Sequence, residues 1–300
     1  MLEKKKKKNN RIKKDEQING FVFVLPALLI IGIFNFWPAV RLFLLSFSNY
    51  SIMAKKGEFI GISNYLSMFE DKEFINSLKV TIKMAILIVP IQTILALLFA
   101  VAINRKKRIY KFFRVVYFIP AITSFVAVAI LWKQLLNPSF GLVNSILESL
   151  GLPRSQFLSA IPDAFYSTVF VCIWKSWGYF MVIFISGLQD IPSDVKDATR
   201  IDGANSFQEL IYITIPMLRK TTLLVIVVTT MDAIKLFVPA YTMTAGGPIG
   251  TTTTTVYYVW RQAFRLSEIG PASAMSILLF VIIGIIVILQ FKIGGEEQYE

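Results

Sequence analysis

The feature that most constrains the fold of this chain is a set of long stretches that contain no charged residue. Residues 21–40, 84–104, 115–132 and 269–291 form uncharged runs of 20, 21, 18 and 23 residues. An α-helix of about 20 residues crosses the hydrocarbon core of a bilayer. The chain is 55% hydrophobic, whereas soluble domains are about 45–50% apolar. The sequence therefore predicts an all-α membrane protein.

Two further apolar segments, each carrying isolated charges, raise the predicted number of membrane-spanning helices to about six. We expect the transmembrane domain to cover residues 18–292, between a basic tail at 1–17 and a short tail at 293–300. The predicted spans are residues 18–46, 77–103, 112–135, 165–188, 217–241 and 272–291.

Lysine and arginine residues are distributed unevenly between the two sides of these spans. Nineteen of them flank the side that carries both tails, and six flank the other side. Because cytoplasmic flanks are enriched in Lys and Arg, we expect both termini and the loop between the fourth and fifth spans to be cytoplasmic. The lysine-rich tail also resembles the start of a secretion signal. The apolar run after it is too long for such a signal, so we expect the first span to be retained.

The composition argues against several classes of function. The chain contains no His and one Cys, Cys172, which we expect to be a free buried thiol. Histidine-based catalysis and metal sites are therefore not expected, and no cofactor is predicted. The net charge of +12 is concentrated beside the spans, so it indicates membrane topology rather than nucleic-acid binding.

The loop at residues 190–216 is unusually polar for a segment between two spans. Its sequence predicts a short helix over residues 193–201, which Gly203 would end in a left-handed conformation. Ala198 and Ala204 keep the surface of this segment small. A small, rigid helix with charges around it is suited to docking into another protein, and an ordinary interfacial helix is the alternative.

A second short helix is expected to begin near Asn205 or Ser206. Ser206 and Glu209 have the spacing of a capping box, in which each side chain bonds to the backbone of the other. Pro216 then predicts a bend into the fifth span, because proline disrupts the hydrogen bonding of a continuous helix.

The same loop resembles the EAA loop of the permease subunits of binding-protein-dependent ABC importers. That loop reads Glu-Ala-Ala, three residues, Gly, nine residues and Ile-x-Leu-Pro. This chain has, at the same spacing, Asp197-Ala198-Thr199, Gly203 and Ile213-Thr214-Ile215-Pro216. It departs from the pattern at Asp197, Thr199 and Ile215. Residues 114–144, 173–192 and 241–264 are similar to the carbohydrate-uptake (maltose and multiple-sugar) branch of that family.

The resemblance implies the type I ABC importer permease fold, with the loop as a coupling helix that docks on the ATPase. The implied coupling residues are Asp197, Ala198, Thr199, Asp202, Gly203, Ala204 and Pro216. The implied partners are a second permease subunit, a cytoplasmic dimer of ATP-binding subunits and an extracytoplasmic solute-binding protein. The implied location is the cytoplasmic membrane of a prokaryote. The chain has no G-x-x-x-x-G-K-[ST] phosphate loop, so we expect no ATPase site of its own.

Charged and aromatic residues within the spans are candidates for the solute path. Intramembrane charges are costly and usually face a cavity or a partner, so Asp232 and Lys235 either line the path or pair structurally. Aromatic rings stack on the C–H faces of sugars, and in the maltose-type permease the stretch that matches Tyr179 contributes to a sugar site. The candidates are Trp174, Trp177, Tyr179, Thr229, Thr230, Asp232 and Lys235.

These features predict a subunit that forms half the pore of an ATP-driven sugar importer and catalyses no reaction itself. Glycerol phosphate or another polar solute is an alternative cargo. An ATP-independent secondary transporter and a membrane enzyme are rival classes. The threonine run at residues 251–255 is expected either to present hydroxyls to the solute-binding protein or to form a β-prone loop.

Overall fold

A computed structural model describes residues 21–104 and 108–295 of the chain. The predicted basic tail at 1–17, the basic link at 105–107 and the end of the second tail at 296–300 lie outside the described residues. Within the described residues the secondary structure is helical, with isolated bridges but no β-strand. The all-α prediction is confirmed.

We number the helices in chain order. They are α1 (Phe21–Leu45), α2 (Ser63–Glu70), α3 (Lys72–Ile103), α4 (Arg108–Ile122), α5 (Phe125–Leu135), α6 (Leu142–Ser149), α7 (Asp163–Gln189), α8 (Ser193–Ile201), α9 (Ser206–Met217), α10 (Arg219–Ile234), α11 (Ala240–Thr244), α12 (Thr255–Trp260) and α13 (Ile269–Gly295). A π-helical turn, Arg261–Arg265, continues α12.

Four of these helices, α1, α3, α7 and α13, are long and apolar enough to cross a membrane unbroken. The pairs α4–α5 and α9–α10 pass the same test when each pair is taken as one bent span. Up to six spans result, in the predicted order. We call the side that carries residues 190–216 the inner side and the opposite side the outer side.

The third span, predicted as one helix over residues 112–135, is broken. α4 and α5 are bent by 97° relative to each other, because Ser124 leaves the helical conformation (φ −57°, ψ 129°) immediately before α5 begins. Pro120 weakens the preceding turn, since it has no N–H to donate. The Thr123 hydroxyl donates to the Pro120 carbonyl oxygen at 2.7 Å and satisfies one group that the break leaves unpaired.

The fifth span, predicted over residues 217–241, is also interrupted. α9 and α10 are bent by 70°, and Leu218 separates them. α10 ends at Ile234, with Lys235 as its C-cap. Pro239 lacks the N–H that would bond to the Lys235 carbonyl in a continuing helix. The chain leaves the helix at residues 235–237, returns to helical conformation at residues 238–239 and continues as the short π-helix α11.

The packed centre of the fold lies between α3 and α7. Phe180, Met181 and Phe184 of α7 share one buried cluster with Ala96 and Ala100 of α3. Small residues let membrane helices approach closely and gain van der Waals contact with larger side chains. This pair of helices is the scaffold against which the two broken spans are held.

α4 approaches α7 so closely that one position requires glycine. A Cβ atom at Gly178 would lie 1.9 Å from the carbonyl oxygen of Tyr117, which is inside van der Waals contact. The inner half of the third span, α4, therefore packs in direct backbone contact with α7.

On the outer side, a polar cluster joins α12 to the start of α3. We call this cluster the outer clasp (Asp71, Glu73, Tyr258, Arg261 and Gln262). The Tyr258 hydroxyl donates to the Asp71 carboxylate and accepts from Gln262 Nε2 at 2.6 Å, while Arg261 pairs with Glu73. Burial, and then the bond to Asp71, raise the pKa of Tyr258 to about 12. A phenol is protonated at neutral pH in any case, and the raised pKa keeps Tyr258 protonated in alkaline solution as well.

Candidate functional site

The inner loop at residues 190–216 begins with the short helix that the sequence predicts. α8 covers Ser193–Ile201, and Gly203 follows with a φ of +78°, so both predictions are confirmed. Glycine adopts this left-handed conformation without steric cost. A Cβ atom at Gly203 would meet nothing within 4 Å, so the backbone conformation alone explains the residue.

The capping box of α9 lies one residue earlier than predicted. Asn205 Oδ1 accepts from the Gln208 N–H at 2.9 Å, and Gln208 Oε1 accepts from the Asn205 N–H at 2.8 Å. The predicted box of Ser206 and Glu209 is therefore wrong. Asn is as good an N-cap as Ser and Gln can replace Glu in the box, so the sequence fitted both registers.

The predicted coupling residues occupy two environments. Exposed are Asp197, Ala198, Asp202, Gly203 and Pro216. Ala204 is half-buried. Thr199 is only 8% exposed, and its hydroxyl donates to the Val195 carbonyl oxygen at 2.7 Å. Thr199 therefore holds the helix internally, while Asp197 and Ala198 form the accessible face.

Three large apolar side chains of the inner loop are more than 70% exposed, and sequence reasoning missed them. Ile201, Phe207 and Tyr212 are 84%, 72% and 72% exposed. Exposed apolar groups on a polar segment are typical of protein interfaces. The sequence prediction of a docking surface considered only the charged and the small residues of this loop. The sequence feature that could have identified them is the presence of bulky apolar residues in a loop whose charges keep it out of the bilayer.

A cavity of about 310 Å³, which we call the central cavity, lies among α3, α5, α7 and α10. Three predicted path residues line it, namely Thr229, Asp232 and Lys235. Gln92, Lys175 and Ser176 also contribute polar groups, and sequence reasoning did not select them. Cys172, which is free and buried as predicted, lies in the same wall.

Lys175 connects α7 to the break in the third span. Its Nζ donates to the Ala121 carbonyl oxygen at 3.1 Å and lies 5.2 Å from the centroid of the Phe125 ring. These two contacts fall on opposite sides of the break, so Lys175 stabilises the bend. The signal that would have found it is a single charge in an otherwise uncharged span.

Asp232 and Lys235 do not form the ion pair that was one of the two predicted roles. Their charged groups are more than 4.0 Å apart, and Lys175 is likewise not within ion-pair distance of Asp232. Lys235 is the C-cap of α10, outside the regular helix, so the i, i+3 spacing does not bring the side chains together. Both lysines act electrostatically on Asp232 from a distance.

The aromatic candidates of α7 lie away from the central cavity. Trp174 and Trp177 line a second, largely apolar cavity of about 330 Å³ with Tyr166 and Phe170. Tyr179 is 46% exposed and lines neither of the two cavities. The structure therefore separates these rings from the charged candidates, and their role in the solute path stays a prediction.

The two threonine candidates of α10 face different neighbours. Thr229 lies at the central cavity, and its hydroxyl donates to the Val225 carbonyl oxygen at 2.7 Å. The Thr230 hydroxyl accepts from Gln290 Nε2 at 2.8 Å and so joins α10 to α13. Thr230 is placed as a contact between helices.

The threonine run at residues 251–255 does not present its hydroxyls outward. Residues 252–255 are at most 7% exposed. Thr254 donates to the Leu236 carbonyl oxygen at 2.6 Å, and the hydroxyls of Thr255 and Thr81 are 3.0 Å apart. The run is also not β-structured, because it forms a turn and the start of α12. The role of presenting hydroxyls is therefore wrong, whereas the alternative of a loop agrees with residues 251–254, which precede α12 without forming a strand. The hydroxyls of this run bond to the backbone of residues 236 and 246–248 and to the side chain of Thr81.

The amino-acid sequence and the fold are similar to those of known transporters. The chain is 31% identical to the trehalose/maltose transport system permease protein MalF of Thermococcus litoralis, over 95% of this chain and 96% of that one. It is also 31% identical to the sn-glycerol-3-phosphate transport system permease protein UgpA of Agrobacterium fabrum, over 92% and 94% of the two chains.

A solved structure shares the fold. A chain of the bacterial alginate ABC transporter in complex with its alginate pentasaccharide-bound periplasmic protein superposes with a TM-score of 0.81 at 21% identity, over 95% of this chain and 96% of that one. Residues 92–293 match the family described as "Binding-protein-dependent transport system inner membrane component". The chain therefore belongs to this family of multi-pass transporter subunits, as its inner loop indicated.

Proposed function

We propose that the chain is the permease subunit of an ATP-driven, binding-protein-dependent saccharide importer, in which it forms half of the translocation pore. The observation that carries the proposal is the inner loop, an ordered, exposed two-helix segment on a chain of this transporter family. Such a segment transmits motion only if another protein holds it.

The inner loop is suited to bind the ATP-binding subunits. Asp197 and Ala198 offer a charged and a small contact on α8, while Ile201 and Phe207 offer apolar anchors on either side of Gly203. Anchors surrounded by polar residues are typical of protein interfaces. In this arrangement, closure of the ATPase dimer pulls on α8, and the capped start of α9 passes the motion to α10.

The remaining partners follow from the exposed surface and the charge distribution. α1 has no buried residue, so its apolar faces contact lipid or the second permease subunit. Both termini and the inner loop lie in the cytoplasm, since Lys and Arg predominate on that side. The solute-binding protein then docks on the outer side. The cell membrane of a prokaryote is the setting, and ATP hydrolysis belongs to the separate subunit.

The cargo is a saccharide. The named activity of the trehalose/maltose relative supports this choice. The glycerol-3-phosphate relative supports a phosphorylated polyol as the second candidate. Both solutes are rich in hydroxyl groups, for which the polar wall of the central cavity provides partners.

Site-directed cross-linking in membranes that contain the assembled transporter tests the coupling role. Because Cys172 is the one cysteine of the chain, a Cys172→Ser background gives a single reporter position. Ala198→Cys, on the exposed face of α8, should cross-link to the ATP-binding subunit. Ser149→Cys, exposed at the end of α6 on the outer side, is the matched control and should not.

Transport assays complete the test. Uptake into proteoliposomes should require the ATP-binding subunits and ATP, and Ala198→Arg should reduce it strongly while leaving the chain in the membrane. Uptake at an unchanged rate without the ATP-binding subunits would mean a secondary transporter and would refute the proposal. Equal cross-linking from both cysteine positions would also contradict it.

A further inference from the structure

The charges that line the central cavity are not balanced. Lys175 and Lys235 supply two positive charges, and Asp232 is the one acidic residue in the lining. The C-terminal end of α10 adds about half a negative charge. A positive excess remains at this cavity, which is open to the surface of the chain, since Asp232 and Lys235 are both exposed.

The geometry of these charges leaves room for a ligand between them. Neither lysine forms an ion pair with Asp232 within 4.0 Å. The Lys175 ammonium is held at the break of the third span by the Ala121 carbonyl oxygen, and Lys235 follows α10 as its C-cap. The ammonium groups are thus attached to separate elements around a space of about 310 Å³.

The same cavity offers partners for hydroxyl groups. Gln92 is 2% exposed and supplies an amide from α3, and Ser176 supplies a hydroxyl from α7. The volume is near the lower end of the range of about 300–1,000 Å³ that is usual for small-molecule sites. A site of this size accommodates one sugar residue with its substituents rather than a long chain.

Aromatic rings extend from the cavity wall toward the outer surface. Phe237 lines the cavity and stacks on Tyr241 at 5.3 Å and 14°. Tyr241 contacts Trp260 at 4.9 Å, and Trp260 lies 6.2 Å from Phe264. Tyr241 is 42% and Phe264 66% exposed. This series of rings, which we call the aromatic wall, offers ring faces to a sugar on its way in.

From these observations we infer that the central cavity binds a saccharide that carries one acidic group. Its carboxylate or phosphate contacts Lys175 and Lys235, its hydroxyls contact Asp232, Gln92 and Ser176, and its ring meets the aromatic wall. The inference rests on the proposed importer function and specifies the chemical class of its cargo.

Isothermal titration of the full chain in lipid nanodiscs tests the inference. Galacturonate and galactose differ only at carbon 6, which is a carboxylate in the acid and a hydroxymethyl group in the neutral sugar. Galactose 6-phosphate is the third ligand, and it shows whether the site prefers a phosphate or a carboxylate. We expect one of the two acidic sugars to bind about tenfold or more tightly than galactose, since hydrogen bonds to charged groups contribute roughly that much.

Three variants separate ligand contact from a structural role. Lys235→Met should reduce the affinity for the acidic sugar about tenfold and leave that for galactose unchanged. Asp232→Asn should raise the same affinity, because it removes the repelling charge. Lys83→Met is the matched control, since Lys83 is an exposed lysine of α3 that does not line the cavity, and it should change neither affinity.

Opposite signs for Lys235→Met and Asp232→Asn would support the inference, because a merely structural role predicts a loss in both. Equal binding of acidic and neutral sugars, or no binding of either acidic sugar at millimolar concentration, would overturn it. Failure here is distinct from failure of the proposed function. A transporter that still imports neutral sugar with ATP retains the proposed function and loses only the acidic cargo.

Discussion

Replacing Gly203 by alanine isolates the contribution of the inner turn to coupling. Gly203 has a φ of +78°, and a Cβ atom there would meet nothing within 4 Å. Alanine therefore adds no steric clash, and its whole cost is the left-handed backbone. That cost is roughly 1–2 kcal/mol for a residue with a Cβ atom.

A penalty of this size changes a local equilibrium by a factor of about 5–30. The turn between α8 and α9 should therefore lose its ordered form in a large fraction of molecules. If the ATP-binding subunit grips the ordered loop, solute uptake per ATP hydrolysed should fall several-fold in proteoliposomes. Gly203→Asn should lose less, because asparagine enters the left-handed region more readily than alanine.

Gly61→Ala is the matched control for this experiment. Gly61 has a φ of +60°, and a Cβ atom there also meets nothing within 4 Å, but the residue lies on the outer side before α2. It carries the same backbone penalty without touching the inner loop. If Gly61→Ala uncouples uptake from ATP hydrolysis as much as Gly203→Ala does, the effect is general instability and the reasoning about the inner turn is refuted.

Three further substitutions test the fold and the loop. Asn205→Ala removes the N-cap of α9 and should cost about 1 kcal/mol of local stability, seen as faster amide exchange at the start of α9. Tyr258→Phe removes the donor to Asp71 and should lower the free energy of unfolding by about 1.5–3 kcal/mol, seen as a lower melting temperature in detergent. Gly178→Ala should destabilise by about 1–3 kcal/mol through overpacking, whereas Gly284→Ala, whose Cβ meets nothing within 4 Å, should not.

The parts of the fold that the sequence predicts well are those with one dominant signal. Uncharged runs of membrane length locate the helices α1, α3 and α13, because a single apolar segment in lipid can satisfy its backbone groups only as a helix. Gly203 identifies the inner turn, since no other residue adopts that conformation as easily. The register of the capping box was missed because two adjacent residues, Asn205 and Ser206, are equally good caps.

The parts that sequence reasoning missed depend on contacts between distant segments. Lys175 faces the break of the third span only because α7 packs on α4, a contact that Gly178 permits. The threonine run at 251–255 turns inward because its hydroxyls meet Thr81 and the end of the fifth span. The local sequence does not indicate whether such residues point into the protein or toward its surface, because the same composition is compatible with both orientations.

The break in the third span and the end of α10 in the fifth span lie at the same place in the fold, for a physical reason. Phe125, the first residue after the break in the third span, and residues 235–238, which follow α10, all line the central cavity. Unpaired backbone groups within a membrane are tolerated where they are buried in protein or line a polar cavity. The intramembrane charges lie at the same cavity for the same reason. Irregular backbone and charge therefore occur together at the central cavity, which is the site that we propose for the solute.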